Sequence, residues 1–384
     1  MASHIRRTPS FFRYWTCKTG FQLVRCSSSL LQTFEQGSGQ TGLILQSLST
    51  DIHQNLALED WIDTNVNLQQ MSVLLLWKNQ PAVVIGRHQN PWIECNLPAM
   101  RRSGILLARR RSGGGTVFHD LGNLNMTFFT SKKGYNRHRN LRVITDALGH
   151  LYPGLDVHAT DRCDILLNGH YKISGSASRL SRNSSYHHCT LLYSADCSTL
   201  KAVLRSSTPG IHSNATPSIS SPVANLIDHT PLLQWEELLN ALVAQYNTEF
   251  GFSAPVTSID PTNEVVFPGV TATVAELRGW EWTFGKTPKF SIQTVLDLTD
   301  CERSVRSSAH LHMEVKNGLI GSCLLDVPTD WLPDWLSREL SGVLVGGRFC
   351  SQDVAAAIAV LLRTQSGVLR TRLHILCDAV AAVM

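Results

Sequence analysis

Residues 109–129 read RRRSGGGTVFHDLGNLNMTFF. Three arginines run directly into three glycines, a short apolar segment (105–108) leads in, and a longer apolar strand leads out. Three consecutive glycines leave the backbone free to take unusual dihedrals and to press against a ligand. The chain is therefore expected to make a strand, a tight turn and a strand here, with positive charge beside the turn. That combination suits an anionic group such as phosphate. It equally suits a hairpin turn with solvated arginines. It is not a dinucleotide fingerprint, because no GxGxxG opens a helix, and it is not a Walker loop, because no Gly-Lys-Ser/Thr follows.

The rest of the chain frames this turn. A strand is expected over 42–49 and a helix over 51–64. Apolar runs 73–77 and 82–85 flank the turn signal Asn79-Gln80-Pro81 and read as a hairpin. A short helix is expected over 96–103 and a longer one over 140–152, stopped by Pro153-Gly154. Strands are expected over 155–159, 164–167, 171–178 and 185–194, with Asn168-Gly169 as a two-residue hairpin turn. Residues 206–222 form a polar Pro- and Ser-rich loop, of the length that is usually functional or disordered. An amphipathic helix follows over 232–249, then a connector over 251–268. Strands and helices beyond it make a second, smaller unit. The part over 41–255 reads as an α/β or α+β domain and the part over 256–384 as a smaller α+β domain, so the fold class of the chain is taken as α+β.

The charge balance limits the function. The net charge is +4, and residues 1–40 hold five basic residues against Glu35 alone, so the body is neutral. A nucleic-acid surface would leave a basic surplus in the folded part. The leader is Arg- and Ser-rich and nearly free of acids, the composition of a mitochondrial transit peptide, with cleavage expected between Cys26 and Gln40. No apolar run reaches the ~18 residues of a membrane span. The ten cysteines are scattered without a CxxC, so free thiols in a reducing compartment are expected, with no disulfide framework and no metal site.

Three further places could carry chemistry. His119-Asp120 could be acid–base machinery, but neighbours in sequence rarely make the needed hydrogen bond, and a structural turn is the simpler reading. Lys172 lies in YKISGSA, where alternation puts it on one face with Ser174, and Gly175 and Ala177 keep the adjoining surface low, as a ligand floor needs. An exposed edge lysine explains the pattern equally well. Cys189 follows His187 and His188, of which only His187 shares its face, and a small buried cysteine is favoured over a nucleophile.

Five motifs in order, RRSGGGTVFHDLGN (110–123), DRCDIL (161–166), KISGSA (172–177), YHHCTLL (186–192) and WEWTFGKTP (280–288), resemble the lipoate–protein ligase A and lipoyltransferase family, together with IGRHQNPW at 85–92. The resemblance implies a large biotin/lipoate-ligase-type catalytic domain and a small accessory domain. It implies transfer of a lipoyl group, activated as lipoyl-AMP, to a lysine on lipoyl-domain acceptors. Expected acceptors are the glycine-cleavage H protein and the acyltransferase subunits of 2-oxo-acid dehydrogenases. Transfer from H protein to those subunits is a variant, and octanoyl an alternative acyl group. The matrix of the mitochondrion is the implied location and a monomer the expected state. Lys172 matches the lysine that contacts the acyl carbonyl and the phosphate of the adenylate. Arg110, Arg111, Ser112, Gly113, Gly114 and Gly115 match the loop over the acyl chain, and Phe118 matches an aromatic beside it. His119, Asn125, Arg162, Asp164, Gly175, Ala177, Thr190, Thr216, Ser218 and Ile219 fall where the remaining lipoyl-AMP contacts or their supports are implied. No tightly bound cofactor is implied, and Mg-ATP enters only if the chain is a complete ligase.

Two departures matter. Bacterial ligases usually carry a Ser-Arg-Val-like element in the adenylate loop, whereas Pro222 stands at that arginine here and residues 213–225 contain no Lys or Arg. Activating lipoate with ATP requires handling a triphosphate and Mg²⁺, which usually takes cations. Transfer from ready-made lipoyl-AMP without efficient activation is therefore expected, with a complete ligase as the alternative and a non-catalytic lipoyl-domain binder as a further one. Cys189 stands where a glycine is common, so the family chemistry does not need its thiol. A biotin ligase would show a differently organised loop.

Overall fold

The computed structural model describes residues 41–204, 208–299 and 306–384. The expected leader over 1–40, with Cys17, Cys26 and the cleavage point, lies outside the described residues, as does Cys301.

Strand β1 (Thr41–Ser47) leads into helix α1 (Ile52–Asn65), which Asp51 caps by accepting from the N–H groups of His53 and Gln54. Strand β2 (Met71–Trp77) runs parallel to β1 and is buried along its whole length, as a central strand that is apolar apart from Ser72 should be. The chain then leaves this sheet. Strand β3 (Ala82–Ile85), short helices α2 (Pro91–Glu94) and α3 (Leu97–Arg102), and strands β4 (Leu106–Arg109) and β5 (Val117–His119) build a separate three-stranded sheet in the order β4-β3-β5. Strand β6 (Asn123–Ser131) re-enters the first sheet antiparallel to β2. After helix α4 (Arg137–Leu151), strands β7 (Val157–Ala159), β8 (Ile165–Leu167) and β9 (Tyr171–Ser174) form a third small sheet. Strands β10 (Ser176–Leu180) and β11 (Ser184–Leu192) then extend the first sheet beyond β6.

Helix α5 (Cys197–Val203), strand β12 (Ile211–Ser213), helix α6 (Trp235–Phe250) and strand β13 (Val256–Ile259) follow, and β13 closes the first sheet at its other edge as β10-β11-β6-β2-β1-β13. Helices α7 (Val270–Arg278) and α8 (Trp280–Thr283) precede strands β14 (Phe290–Asp297), β15 (Ser308–Lys316) and β16 (Leu319–Asp326), which with β12 form an antiparallel sheet. Helices α9 (Asp334–Leu344), α10 (Ser351–Thr364) and α11 (Gly367–Ala382) complete the chain. Among the described residues no helix is long and apolar enough to cross a membrane.

The six-stranded sheet is covered on both faces because its strands alternate apolar side chains both ways. Leu45, Val73 and Leu75 pack on one face with Leu56 and Ile62 of α1 and Val270 and Leu277 of α7. Ile44, Leu74, Leu76 and Phe128 pack on the other with Leu141 and Ile144 of α4 and Leu238 and Leu242 of α6. A third core joins the β3–β5 sheet to the C-terminal elements. Its centre is Trp92, whose ring lies 5.3 Å from Phe284, 5.2 Å from Phe290 and 5.3 Å from Phe349.

The structure corrects several sequence expectations. Residues 73–77 and 82–85 are not a hairpin: β1 and β6 already occupy both edges of β2, and β3 pairs with β4 and β5 instead. The turn between them is diverted by Asn79, which is fully buried and accepts from the Asn55 amide at 2.9 Å. The expected strand over 171–178 breaks at Gly175 into β9 and β10, which belong to different sheets. A bulge at Ile173 also ends the simple alternation of β9, so Ser174 is buried and does not accompany Lys172. The 251–268 connector contains β13, and α7 packs on α1, so elements from beyond residue 255 complete the first sheet and one of its covering layers. The Asn168-Gly169 turn is as expected, with φ of 53° and 65°.

Candidate active site

A cavity of about 320 Å³ opens where the three sheets of the first half meet. Its lining changes character along its length. Leu56, Trp77, Val84 and His119 are buried at 4% exposure or less, and Val117 is half-buried. Arg162, Thr216, Ser218 and Ile219 are exposed, and Asp164, Lys172, Ser176 and Thr190 are half-buried. An apolar chain with a polar, anionic head matches that gradient. Gly114, Gly115, Gly175 and Ala177 also line the cavity.

The glycine turn is held by the residue before it. Arg110 is 4% exposed, and its guanidinium donates to the carbonyls of Val84 at 3.1 Å, Gly113 at 2.6 Å and Gly115 at 2.7 Å, and to Ser112 Oγ at 3.0 Å. Burial lowers its pKa to about 10, so it stays charged at neutral pH. Ser112 Oγ meets His188 Nε2 at 3.0 Å, His188 Nδ1 meets Glu59 Oε1 at 2.9 Å, and Thr127 donates to the same carboxylate oxygen at 2.9 Å. This buried relay anchors the turn to α1 and β11. Gly114 has φ +84°, and a Cβ there would sit 3.2 Å from Ala177 Cβ. Gly113 needs no glycine for space, since nothing lies within 4 Å of its would-be Cβ.

Lys172 stands on the polar side. Its Nζ is 2.8 Å from Asp164 Oδ1, with the two side chains 25% and 20% exposed. Gly175 makes room for it: a Cβ at Gly175 would lie 3.0 Å from Lys172 Cε. Thr190 fixes the break between β9 and β10, because its Oγ1 accepts from Gly175 N at 3.1 Å. The Pro222 carbonyl accepts from Lys172 N at 2.8 Å, so the loop that lacks cations runs alongside the lysine. The same loop is latched over the cavity by Ser218, whose hydroxyl donates to Glu94 and accepts from Gln89 Nε2 at 2.9 Å and Thr116 N at 2.9 Å.

Fourteen of the eighteen site residues named from the sequence line this cavity: Arg110, Gly114, Gly115, His119, Asn125, Arg162, Asp164, Lys172, Gly175, Ala177, Thr190, Thr216, Ser218 and Ile219. Ser112 and Gly113 stand behind it as supports. Arg111 faces away, 2.9 Å from Glu276, 3.4 Å from Asp60 and stacked 4.0 Å over Trp282. Phe118 is the clear misplacement. On β5, Val117 and His119 face the cavity, so Phe118 must face the opposite way, and it is buried in the core shared with the C-terminal elements. Arg109, which a turn with solvated arginines would leave in water, has no exposure at all. Neither of the two readings left open for the three arginines, an anion cradle or a solvated turn, describes their contacts: Arg109 and Arg110 spend their donors on the protein's own oxygens, and Arg111 is paired with carboxylates.

The sequence reading missed Leu56, Trp77, Val84, Thr116, Val117, Ser176, His188, Cys189 and Pro217 as lining residues. Val117 was recoverable from alternation with His119, while Leu56 carries no local signal. Burial raises the Cys189 thiol well above its ordinary value, which keeps it protonated and fits the buried-cysteine reading. Asp120 is structural as expected, accepting from Gly122 N at 2.9 Å and from Asp196 N at 2.7 Å, whereas His119 lines the cavity.

Comparison with known proteins agrees with this geometry. A family model described as the lipoyl protein ligase A/B catalytic domain matches residues 51–247. A human protein named mitochondrial lipoyl amidotransferase LIPT1 is 46% identical over 376 residues, covering 96% of this chain and 99% of its own length. A lipoate-protein ligase A from Psychrobacter cryohalolentis is 35% identical, covering 76% of this chain and 87% of its own. Among solved structures, P. falciparum LipL1 in complex with lipoate is 25% identical with a TM-score of 0.55, covering 89% of this chain and 99% of that one. An α+β fold of the lipoate-ligase type, the graded cavity beside Lys172 and similarity along nearly the whole chain agree: the chain belongs to the lipoate–protein ligase A and lipoyltransferase family.

Proposed function

We propose that this protein is a mitochondrial acyltransferase that moves a lipoyl group from lipoyl-AMP to the ε-amine of a lysine on lipoyl-domain acceptors. The acceptors are the H protein and the acyltransferase subunits of 2-oxo-acid dehydrogenases. The observation that carries the reading is Lys172 at the polar side of a cavity whose other end is apolar and buried. The acyl chain lies in the apolar end under the glycine turn, and the adenylate lies toward Lys172, Arg162 and the 216–219 segment. The acceptor amine attacks the acyl carbonyl carbon, an amide C–N bond forms, the acyl C–O bond to the phosphate breaks, and the amine loses a proton. The Lys172 ammonium stabilises the oxyanion and offsets the charge of the departing AMP. Asp164 holds that ammonium in place.

The 46% identity to a human protein named as an amidotransferase favours transfer over complete ligase activity. So does the distribution of cations. Among the described residues three Lys or Arg side chains line the cavity: Arg110 is occupied with protein oxygens and Lys172 is paired with Asp164, which leaves Arg162 for a triphosphate. The test runs two reactions side by side on an apo lipoyl domain, one with lipoyl-AMP and one with lipoate and Mg-ATP, reading acceptor mass. Lipoyl-AMP should support transfer at least about a hundredfold faster. Equal rates would establish a complete ligase.

The turn geometry gives a second test. A Cβ on Gly86 would lie 2.1 Å from the Gly114 carbonyl oxygen, a backbone atom that cannot swing aside. Gly86→Ala should displace the glycine turn and lower kcat/KM for transfer by about 10²-fold, the cost of an ångström-scale misplacement. Wild-type kcat/KM in that variant would show that the turn does not position the acyl group.

A further inference from the structure

Residues 131–185 hold nine Lys and Arg against four Asp and no Glu, although the chain beyond residue 40 is neutral as a whole. This stretch walls the polar side of the cavity, where Arg162, Asp164, Lys172 and Ser176 reach the lining. Four of its nine cations have carboxylate partners: Arg139 and Arg142 meet Glu249, Arg179 meets Asp60 and Asp63, and Lys172 meets Asp164. The other five, Lys132, Lys133, Arg137, Arg162 and Arg182, make no ion pair among the described residues, and all but the half-buried Arg137 are exposed. They fall into two groups along β10, an edge strand of the six-stranded sheet. At its start Ser176 Oγ accepts from Arg137 Nη2 at 2.9 Å, and Ser176 and Arg162 both line the cavity. At its end Leu180 is 51% exposed and pairs with Ser185, and the turn between them carries Arg182. Lys132 N donates to the Asn183 carbonyl at 3.0 Å, which brings Lys132 and Lys133 to the same end. The two groups are four strand residues apart, about 13 Å.

An adenylate phosphate beside Lys172 does not reach the far group, so that group serves something larger that arrives at the mouth. In acyl transfer the arriving body is the acceptor domain, and its lysine comes in as a cation. Unpaired cations around the mouth repel that lysine unless negative charge accompanies it. We infer that the acceptor docks along β10 through an acidic face around its lysine, with carboxylates set against Arg137 and Arg162 at the mouth and against Lys132, Lys133 and Arg182 farther out. The inference rests on the acyl-transfer reading above and adds to it a docking surface and the charge of the partner. A domain of ~100 residues has a radius of gyration of ~13 Å, so one acceptor covers both groups. Exposed charges of this kind act mainly on the encounter, because water and salt screen them once the partners are seated. The effect therefore belongs in kcat/KM for the acceptor and in its salt dependence, and not in the chemical step.

The test reverses three charges at once, Lys132→Glu with Lys133→Glu and Arg182→Glu, all at exposed positions outside the cavity lining. With preformed lipoyl-AMP and an apo lipoyl domain at low salt, kcat/KM for the acceptor should fall about tenfold. The kcat at saturating acceptor, and lipoyl-AMP affinity by calorimetry, should stay within about twofold of wild type. Wild-type kcat/KM should itself fall as salt rises, and the triple variant should lose that dependence. Arg363→Glu with Arg370→Glu, at exposed positions on α10 and α11, controls for net charge and should leave kcat/KM near wild type. An acceptor kcat/KM unchanged by the triple reversal, or lowered equally by the control, overturns the inference while leaving acyl transfer intact. Transfer by wild type to no lipoyl domain overturns the transfer reading itself. Should the triple variant fail to fold, wild type and acceptor are joined with a zero-length carbodiimide and the links read by mass. A salt-sensitive amide between Lys132 or Lys133 and an acceptor carboxylate supports the inference, and its absence overturns it. Anionic-lipid vesicles that hold wild type but not the triple variant, with acceptor kinetics unchanged between the two, would also overturn it and assign the surface to a membrane.

Discussion

Replacing Lys172 by alanine lowers the rate of transfer from lipoyl-AMP by about 10²–10³-fold, the usual effect of removing one fixed donor from an oxyanion. In the proposed reading the ammonium is the basic group at which the acyl carbonyl and the phosphate of the adenylate meet. It is held by Asp164 at 2.8 Å and seated against Gly175, so it does not have to be recruited during the reaction. Lys172→Arg should not rescue the rate. A planar guanidinium is larger than an ammonium, and a Cβ at Gly175 would already lie 3.2 Å from Nζ, so the surface offers little spare room. Asp164→Asn should give a smaller loss, because it loosens the ammonium without removing it. Single-turnover measurements with preformed lipoyl-AMP separate these effects from activation. Wild-type transfer by Lys172→Ala would sink the catalytic role and favour a lipoyl-domain binding protein.

Lys172 was legible because its signal is local. The glycine and alanine that lower the floor follow within five residues, and the lysine alternates away from Ile173. The bulge that separates it from Ser174 was not legible, since it depends on the partner strand β8. Phe118 shows the reverse case. Alternation along β5 was visible in the sequence and would have placed Phe118 opposite His119, but the family resemblance pointed to an aromatic beside the ligand. The false hairpin at 73–85 has a tertiary cause: β1 and β6 compete for the edges of β2 and win, and the buried Asn55–Asn79 pair turns the chain away. The arginines were the hardest to read. Three in a row look solvated, and nothing near them reveals that their partners are oxygens up to 178 positions distant.

That distance makes Arg109 the residue whose loss should cost the most stability. Its side chain has no exposure, yet none of its hydrogen-bond partners is a carboxylate. Nε donates to the Thr283 carbonyl at 2.9 Å, Nη1 reaches the carbonyls of Gly86, Arg87 and Gln89, and Nη2 donates to Thr287 Oγ1 at 2.9 Å. Desolvation lowers its pKa to about 10, which still leaves it charged at neutral pH. One guanidinium thus joins the end of β4, the turn that abuts the glycine loop, and the segment after α7 that leads to the C-terminal sheet. Arg109→Ala leaves these oxygens buried without a donor and opens a cavity, which together should cost at least about 3 kcal/mol. Arg109→Lys should fall between, because three donors on a flexible stem cannot replace a rigid fork of five. The next-but-one residue gives the contrast: Arg111 pairs with Asp60 and the half-exposed Glu276, and Arg111→Ala should cost only about 1 kcal/mol. Urea unfolding followed by tryptophan fluorescence ranks the three variants. If Arg109→Ala unfolds at the wild-type midpoint, the guanidinium is not what joins the C-terminal elements to the site, and the Trp92 aromatic cluster must suffice for that join.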